Sequence, residues 1–300
     1  MRGFKFLSLI TIDAFLFLSL VACGKTPDLP RPEGDTSVSE EEALTSKVIS
    51  YDNTSIQKIG ISMPALNLER WTHDGQYLKE EFESKGYDVE IFYGDNLIDT
   101  QINQINNLID DGSDLLIIAP VDSDSLKECI EKADENKIPV IAYDRLINHA
   151  PNLLAYVSYD NYEVGKLQAQ YIIEALGLDK GTNVRYNLEI FAGDPVDNNA
   201  KVFYDGAMDT LEPYFESGNL SVPSGQTDFY SCSHSSWSSD LAETRMQIIL
   251  ASYYPDKRRL DAVLSSNDSL AYGVTNALQD YYTPNNSVII TGQDCDSAII

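Results

Sequence analysis

The sequence predicts an α/β fold built from two doubly wound parallel-sheet domains. Three observations carry this. Strand-like and helix-like segments alternate from residue 57 onward, several of the strands are apolar without interruption, and the alternation restarts after residue 160. Alternating βα units with continuous apolar strands imply a parallel sheet covered by helices on both faces. Crossovers between parallel strands are right-handed, which gives the doubly wound arrangement.

The elements follow in order. Residues 57–63 are a β-rich run, and 75–85 a helix in which Leu78 and Phe82 lie one turn apart and Gly86 is the stop. Residues 88–93 form the next strand, and Ile98, Ile102, Ile105 and Ile109 recur on one face of a second helix. The run Leu115-Leu116-Ile117-Ile118, inside 114–119, is a strand buried on both faces. Leu126, Ile130 and Ala133 mark a third helix, with Cys129 as a buried apolar residue, and 138–143 and 153–159 are the fourth and fifth strands. After a helix at 164–176, strands at 187–192, 262–265 and 287–291 and helices at 205–214 and 241–252 build a second unit. The boundary falls near Asp160, giving domains 56–160 and 161–300.

The N-terminus reads as an address. Arg2 and Lys5 precede an apolar run, and Leu20-Val21-Ala22-Cys23-Gly24 resembles the bacterial lipobox, in which the cysteine is lipidated. Residues 1–22 are thus expected to be a lipoprotein signal peptide and 23–55, rich in Pro, Ser, Thr, Asp and Glu, an acidic flexible tether. The folded part is then displayed outside the cytoplasm. A formal charge of −26, from 47 acidic and 21 basic residues, repels a phosphate backbone and argues against nucleic acid as a partner.

Several chemistries fail on spacing. The four cysteines form no CxxC pair, and His73, His149 and His234 are scattered, so no metal is implied. Gly24-Lys25-Thr26 lacks the earlier glycine of a phosphate loop. Asp122 and Asp124 suggest a calcium loop, but Lys127 stands where glycine is needed and Ala133 where glutamate is needed. No GxSxG or HExxH occurs. Asp197 and Asp294 could pose as a glycosidase pair, yet the residues around them suit binding rather than proton transfer.

Ligands of open parallel sheets bind beyond the carboxyl ends of the strands. Those ends carry Glu69-Arg70-Trp71, Asp144-Arg145, the run Asp194 to Asn199, Ser266-Asn267-Asp268 and Gly292-Gln293-Asp294. Five strand ends deliver carboxylates, amides, guanidiniums and an indole, and none delivers a nucleophile beside a base. Each hydroxyl of a sugar both donates and accepts, so it wants such partners, and Trp offers a flat face to the C–H side of a pyranose. Either Asn198 or Asn199 could face the ligand. Asp268 before Ser-Leu-Ala reads as the cap of the following helix, leaving Asn267 for the ligand.

Lys58-Ile59-Gly60-Ile61-Ser62-Met63-Pro64, Glu69-Arg70-Trp71, Ile141-Ala142-Tyr143-Asp144-Arg145, Gly193-Asp194-Pro195-Val196-Asp197-Asn198-Asn199-Ala200 and Thr291-Gly292-Gln293-Asp294, in this order, resemble the xylose-binding and multiple-monosaccharide-binding proteins of ABC importers. The resemblance covers about residues 57–300 and implies a type I periplasmic-binding-protein fold. It implies that Arg70 and Trp71 bind and stack from the first domain, that Asp144 and Arg145 hold sugar hydroxyls, that Asn199, Asn267 and Asp294 do so from the second, and that Trp237 is the opposing aromatic wall. Trp237 lies in a Ser-rich loop where a tryptophan is otherwise hard to explain. The resemblance further implies a longer chain, so a C-terminal part carrying hinge strands and a ligand-binding lysine is expected to be missing. The function it implies is that of an extracytoplasmic lipoprotein, anchored at Cys23, that closes about a monosaccharide (xylose or a similar aldose) and delivers it to an ABC permease in the membrane. The alternative is a sensor subunit presenting its closed form to a membrane kinase or chemoreceptor. Neither needs a cofactor or a chemical step.

Overall fold

A computed structural model describes residues 56–181, 183–255, 258–284 and 286–297, all within one compact unit. The expected signal peptide, the tether and Cys23 lie outside the described residues.

The first lobe is a five-stranded sheet in the order β2-β1-β3-β4-β5. Its strands are β1 (Lys58–Met63), β2 (Asp88–Tyr93), β3 (Leu115–Ile118), β4 (Val140–Tyr143) and β5 (Ala155–Val157), paired in parallel throughout. Three helices cover it: α1 (Glu69–Ser84), α2 (Ile98–Asp110) and α3 (Lys127–Glu135). Because strand side chains alternate in direction, β3 feeds two cores at once. Leu115 and Ile117 join Ile59, Ile61, Met63 and Trp71 on the α1 side, while Leu116 and Ile118 pack with Ile105, Leu108 and Ile130 from α2 and α3. That is why all four residues of β3 are apolar and buried.

The second lobe begins with α4 (Asn161–Leu176) and has a sheet ordered β7-β6-β8-β9. Its strands are β6 (Tyr186–Phe191), β7 (Leu220–Ser221), β8 (Ala262–Ser265) and β9 (Ile289–Ile290), and its further helices are α5 (Asn198–Glu216), the single turn α6 (Phe229–Cys232), α7 (Ser239–Tyr253) and α8 (Asp268–Tyr281). α4 and α5 pack through two glycines. A Cβ on Gly165 would lie 1.9 Å from the Phe203 carbonyl oxygen, and one on Gly206 would lie 2.1 Å from that of Tyr162. Each glycine lets one backbone settle on the other.

Several elements depart from the sequence expectation, among them α1, α5 and β7. α1 starts at Glu69 instead of 75, so Gly75 is inside the helix. There it makes room for β2, since a Cβ would lie 2.6 Å from Tyr93 Oη. α5 starts at Asn198 instead of 205, because Asp197 caps it and its first turn is polar. β7, only two residues long, was not expected at all. The thiols of Cys129 and Cys232 are free and buried, and that of Cys295 is free and exposed.

Candidate functional site

The carboxyl ends of both sheets face one cleft, and the turns after the strands set its side chains. The turn after β1 leads into the first turn of α1, which carries Arg70 and Trp71. β4 ends at Tyr143, and the chain then turns back at Asp144, whose φ is +60°. The turn is closed by the Arg145 amide donating to the Tyr143 carbonyl at 2.6 Å. Such a conformation is costly for a residue with a side chain and persists only where its surroundings hold it. Here three donors do so on the Asp144 carbonyl: Ser158 Oγ at 2.7 Å, Tyr156 Oη at 3.0 Å and Asn199 Nδ2 at 3.1 Å. Other non-glycine residues with positive φ bordering the cleft are Ser236, Trp237, Asp294 and Cys295. Strain of this kind concentrates where geometry serves a site.

The centre of the cleft is a charge network. Arg70 donates to Asp144 Oδ2 from Nη2 and to Asp294 Oδ1 from Nη1 at 3.3 Å, with Asp74 Oδ2 3.5 Å from its Nε. Burial pulls the Arg70 guanidinium's pKa down, but the charges of Asp144 and Asp294 more than reverse this and hold it above the ordinary arginine value. Arg145 is 4% exposed, donates from Nη1 to the Pro120 carbonyl at 3.1 Å and places Nε 2.8 Å from Asp197 Oδ2. The distance fits an ion pair, but the Nε–H is not aimed at that oxygen and has no hydrogen-bond acceptor among the described residues. Burial pushes the carboxyls of Asp197 and Asp294 up, with Arg145 and Arg70 respectively offsetting only part of it.

Two indoles line the cleft. Trp71 is 3% exposed, with the guanidinium carbons of Arg70 and Arg145 at 4.8 and 5.0 Å from its ring centroid. Trp237 is 5% exposed and stands edge-on to Phe203, with centroids 6.4 Å apart. A Cβ on Gly193 would lie 2.1 Å from Trp237 Cη2, so that glycine is where the ring rests. This answers why a tryptophan sits in a serine-rich loop: the loop folds back over the end of β6, with His234 N–H donating to the Gly193 carbonyl at 3.2 Å.

The eight residues expected to bind ligand, Arg70, Trp71, Asp144, Arg145, Asn199, Trp237, Asn267 and Asp294, are brought together around one cavity. Between Asn198 and Asn199 the helix decides. Asn199 is 2% exposed and points its amide at Asp144, held there by Asn161 Nδ2 donating to its Oδ1 at 2.8 Å. The assignment of the α8 cap is corrected. Asn267, not Asp268, is the N-cap, with its Oδ1 accepting from Leu270 N at 3.1 Å, because Asn267 is the last residue in extended backbone, φ −149°. Its Nδ2 still reaches Asp294 Oδ2 at 3.2 Å, so one side chain does both jobs. Asp268 is already helical and accepts from Asp296 N at 3.0 Å.

Sequence reasoning passed over Asp74, Phe203 and the cap role of Asp197. Asp74 is four residues after Arg70, and Phe203 four after Asn199, so both signals were open to a reader who started α1 and α5 at the right residues.

The cavity between these groups measures about 30 Å³. That is room for one or two waters and not for a pyranose ring. A pyranose seated among all of these groups at once needs the cross-lobe contacts Arg70–Asp294, Arg145–Asp197 and Asn199–Asp144 to give way, whereas Arg70, Asp144 and Asp294 also border an open depression of about 690 Å³.

Residues 59–300 match the family described as periplasmic binding protein domain. A multiple sugar-binding periplasmic protein of Azospirillum brasilense is 39% identical over 255 residues, which is 84% of this chain and 70% of that protein. The D-xylose-binding periplasmic protein of Escherichia coli is 35% identical over 241 residues, 80% of this chain and 68% of that one. Among solved structures, an ABC transporter solute-binding protein of Clostridium phytofermentans with bound β-D-glucose is 46% identical, with a TM-score of 0.78 covering 80% of this chain and 74% of that one.

Proposed function

The chain belongs to the periplasmic binding protein family, a family of solute carriers and not of enzymes, and from that premise we propose that it binds a free aldose in the cleft between its lobes. The observation that carries the proposal is the convergence, from the ends of both sheets, of two guanidiniums, four carboxylates, three amides and two indoles on one cavity. That inventory suits a molecule ringed by hydroxyls and flat on its C–H faces. Relatives named for D-xylose and for several sugars, and a related structure holding β-D-glucose, support an aldose as the class.

The mechanism proposed is closure. Sugar hydroxyls take over the donors and acceptors that Arg70, Asp144 and Asn199 now spend on one another, so the ligand favours the closed form by bonding to both lobes at once. The closed form is then what an ABC permease recognises. An extracytoplasmic location goes with the family. Anchoring by a lipid on Cys23 is a further part of the proposal and rests on the lipobox-like Leu20-Val21-Ala22-Cys23.

Calorimetric titration of the full chain against xylose, arabinose, glucose, galactose and ribose tests this. Saturable binding of at least one of them is expected, abolished by Asp144→Ala and by Arg145→Ala. A folded chain that takes up none of the five would sink the aldose reading.

A further inference from the structure

Asp197 is 3% exposed and has more partners than a helix cap requires. Capping α5 uses one oxygen: Oδ1 accepts from Asn199 N at 3.0 Å. Ser, Thr or Asn would cap as well, so the cap does not explain a second oxygen or a charge. The second oxygen is occupied elsewhere. Oδ2 accepts from Trp237 Nε1 at 3.2 Å and lies 2.8 Å from Arg145 Nε. The indole N–H can only donate, and a buried one needs an acceptor. Without Oδ2, Trp237 would be held by shape alone, against Phe203 and above Gly193. Arg145 belongs to the other lobe. A carboxylate this buried is costly without its cation, so the contact matters most when the lobes are together.

We infer that Asp197 is a positioning residue, one carboxylate that fixes the Trp237 ring as a wall of the cleft and, through Arg145, ties that wall to the opposite lobe. Its Oδ2 faces both Trp237 and Arg145, and it acts through them. A ligand stacking on the indole therefore meets a ring whose orientation is set by the same group that helps hold the lobes closed. The consequence for ligand rests on the aldose reading; the consequence for the indole does not.

The test uses the fact that the chain has two tryptophans. In the full chain labelled with 15N, the two indole N–H resonances are assigned with Trp71→Phe. Asp197→Ser keeps a capping hydroxyl and removes the second oxygen, while Asp197→Asn keeps the cap and turns a donor toward two donors. Asp160→Ser is the control for capping alone, since Asp160 caps α4 by accepting from Glu163 N at 3.0 Å and its own side chain does not line the cavity. Both Asp197 variants are expected to shift the Trp237 resonance upfield by more than that of Trp71, and to lower the urea midpoint further than Asp160→Ser does, because Arg145 loses its buried partner. Aldose affinity is expected to fall about tenfold or more, mostly through faster dissociation. An unmoved Trp237 resonance, an unchanged affinity, or a midpoint loss no greater than that of Asp160→Ser overturns the inference. If the wild-type chain binds no aldose, the aldose reading fails, and the indole resonance alone decides whether Asp197 positions the ring.

Discussion

The two lobes bring opposite charges to the cleft. The first supplies both guanidiniums, Arg70 from α1 and Arg145 from the turn after β4. The second supplies Asp197 at the start of α5, Asn199 within it, Asn267 before α8 and Asp294 after β9. Apart from Asp144 and Asp74, the helix neighbour of Arg70, the cations come from one side and their acceptors from the other. Closing therefore pairs charges that opening leaves to water. The lobes also differ beneath the site. The first ties its strand ends with a neutral amide: buried Gln101 donates to Ser62 Oγ at 3.1 Å and to the Ala119 carbonyl at 2.9 Å. The second buries ionisable groups instead. Glu189 in β6 accepts from Ser224 Oγ at 2.5 Å and Tyr254 Oη at 2.8 Å, Arg245 donates to the Ile190 carbonyl at 2.7 Å, and His234 stacks on Phe191. A chain so arranged should respond to charge removal mainly through the first lobe, and to pH mainly through the second.

The largest effect expected follows from breaking the first half of that contrast. Arg70→Ala leaves Asp144 and Asp294 facing each other without their shared cation. Removing one partner of such a buried set costs about 3–5 kcal/mol, so aldose affinity should drop by about a hundredfold or more in calorimetry. Substituting Lys79, a half-buried cation of the same helix that pairs with Glu83 away from the cavity, should leave affinity unchanged. Equal losses from both would mean that the helix and not the charge network is at stake.

The second effect is one of pH and belongs to the other lobe. Burial pulls the His234 pKa from 6.5 down to about 4, while its Nδ1 stays bonded to the Ala192 carbonyl at 2.9 Å. Above pH 6.5 both folded and unfolded chains carry it neutral. As the pH falls from there toward 4 the unfolded chain takes up a proton that the folded one refuses, so folded stability is lost across that window. The loss is on the order of 2–3 kcal/mol. The buried carboxyls of Asp197 and Asp294, raised by burial, act with the opposite sign, because the folded chain protonates them at higher pH than the unfolded one. The wild type alone would mix the two. His234→Asn keeps a donor near the position of Nδ1 and removes the titration, so the difference between urea midpoints of variant and wild type at pH 7 and pH 4.5 isolates it. A difference that does not change with pH would remove His234 from the account.

The pairing of lobes was readable from sequence in its frame and not in its details. The strands carried the frame, because a strand covered on both faces must be apolar throughout, as Leu115 to Ile118 are. Strand ends then gave the candidate residues with no knowledge of how they meet. The starts of α1 and α5 were hidden because their first turns, Glu69-Arg70-Trp71-Thr72 and Asn198-Asn199-Ala200-Lys201, are mostly polar and carry no apolar periodicity. The second oxygen of Asp197 could not be foreseen, since its partner Trp237 is forty residues away along the chain. Asn267 and Asp268 were exchanged because both are good caps. The choice falls on whichever is last in extended backbone, and that depends on where β8 stops.

That exchange sets the smallest and most specific prediction. Asn267 divides its amide between two tasks, Oδ1 capping α8 and Nδ2 bonding Asp294. Asn267→Ser retains an acceptor for the cap and removes the donor to Asp294, whereas Asn267→Ala removes both. If the division is real, the serine variant should keep nearly the wild-type urea midpoint and lose about 1 kcal/mol of aldose binding, the net worth of one hydrogen bond. The alanine variant should lose the same binding and, in addition, about 1 kcal/mol of stability from the lost cap. Equal midpoints for serine and alanine would mean that Asn267 does not cap α8 in solution. A serine variant with full affinity would mean that Asp294 is held by Arg70 alone, and the second lobe's share in setting that carboxylate would pass to the first.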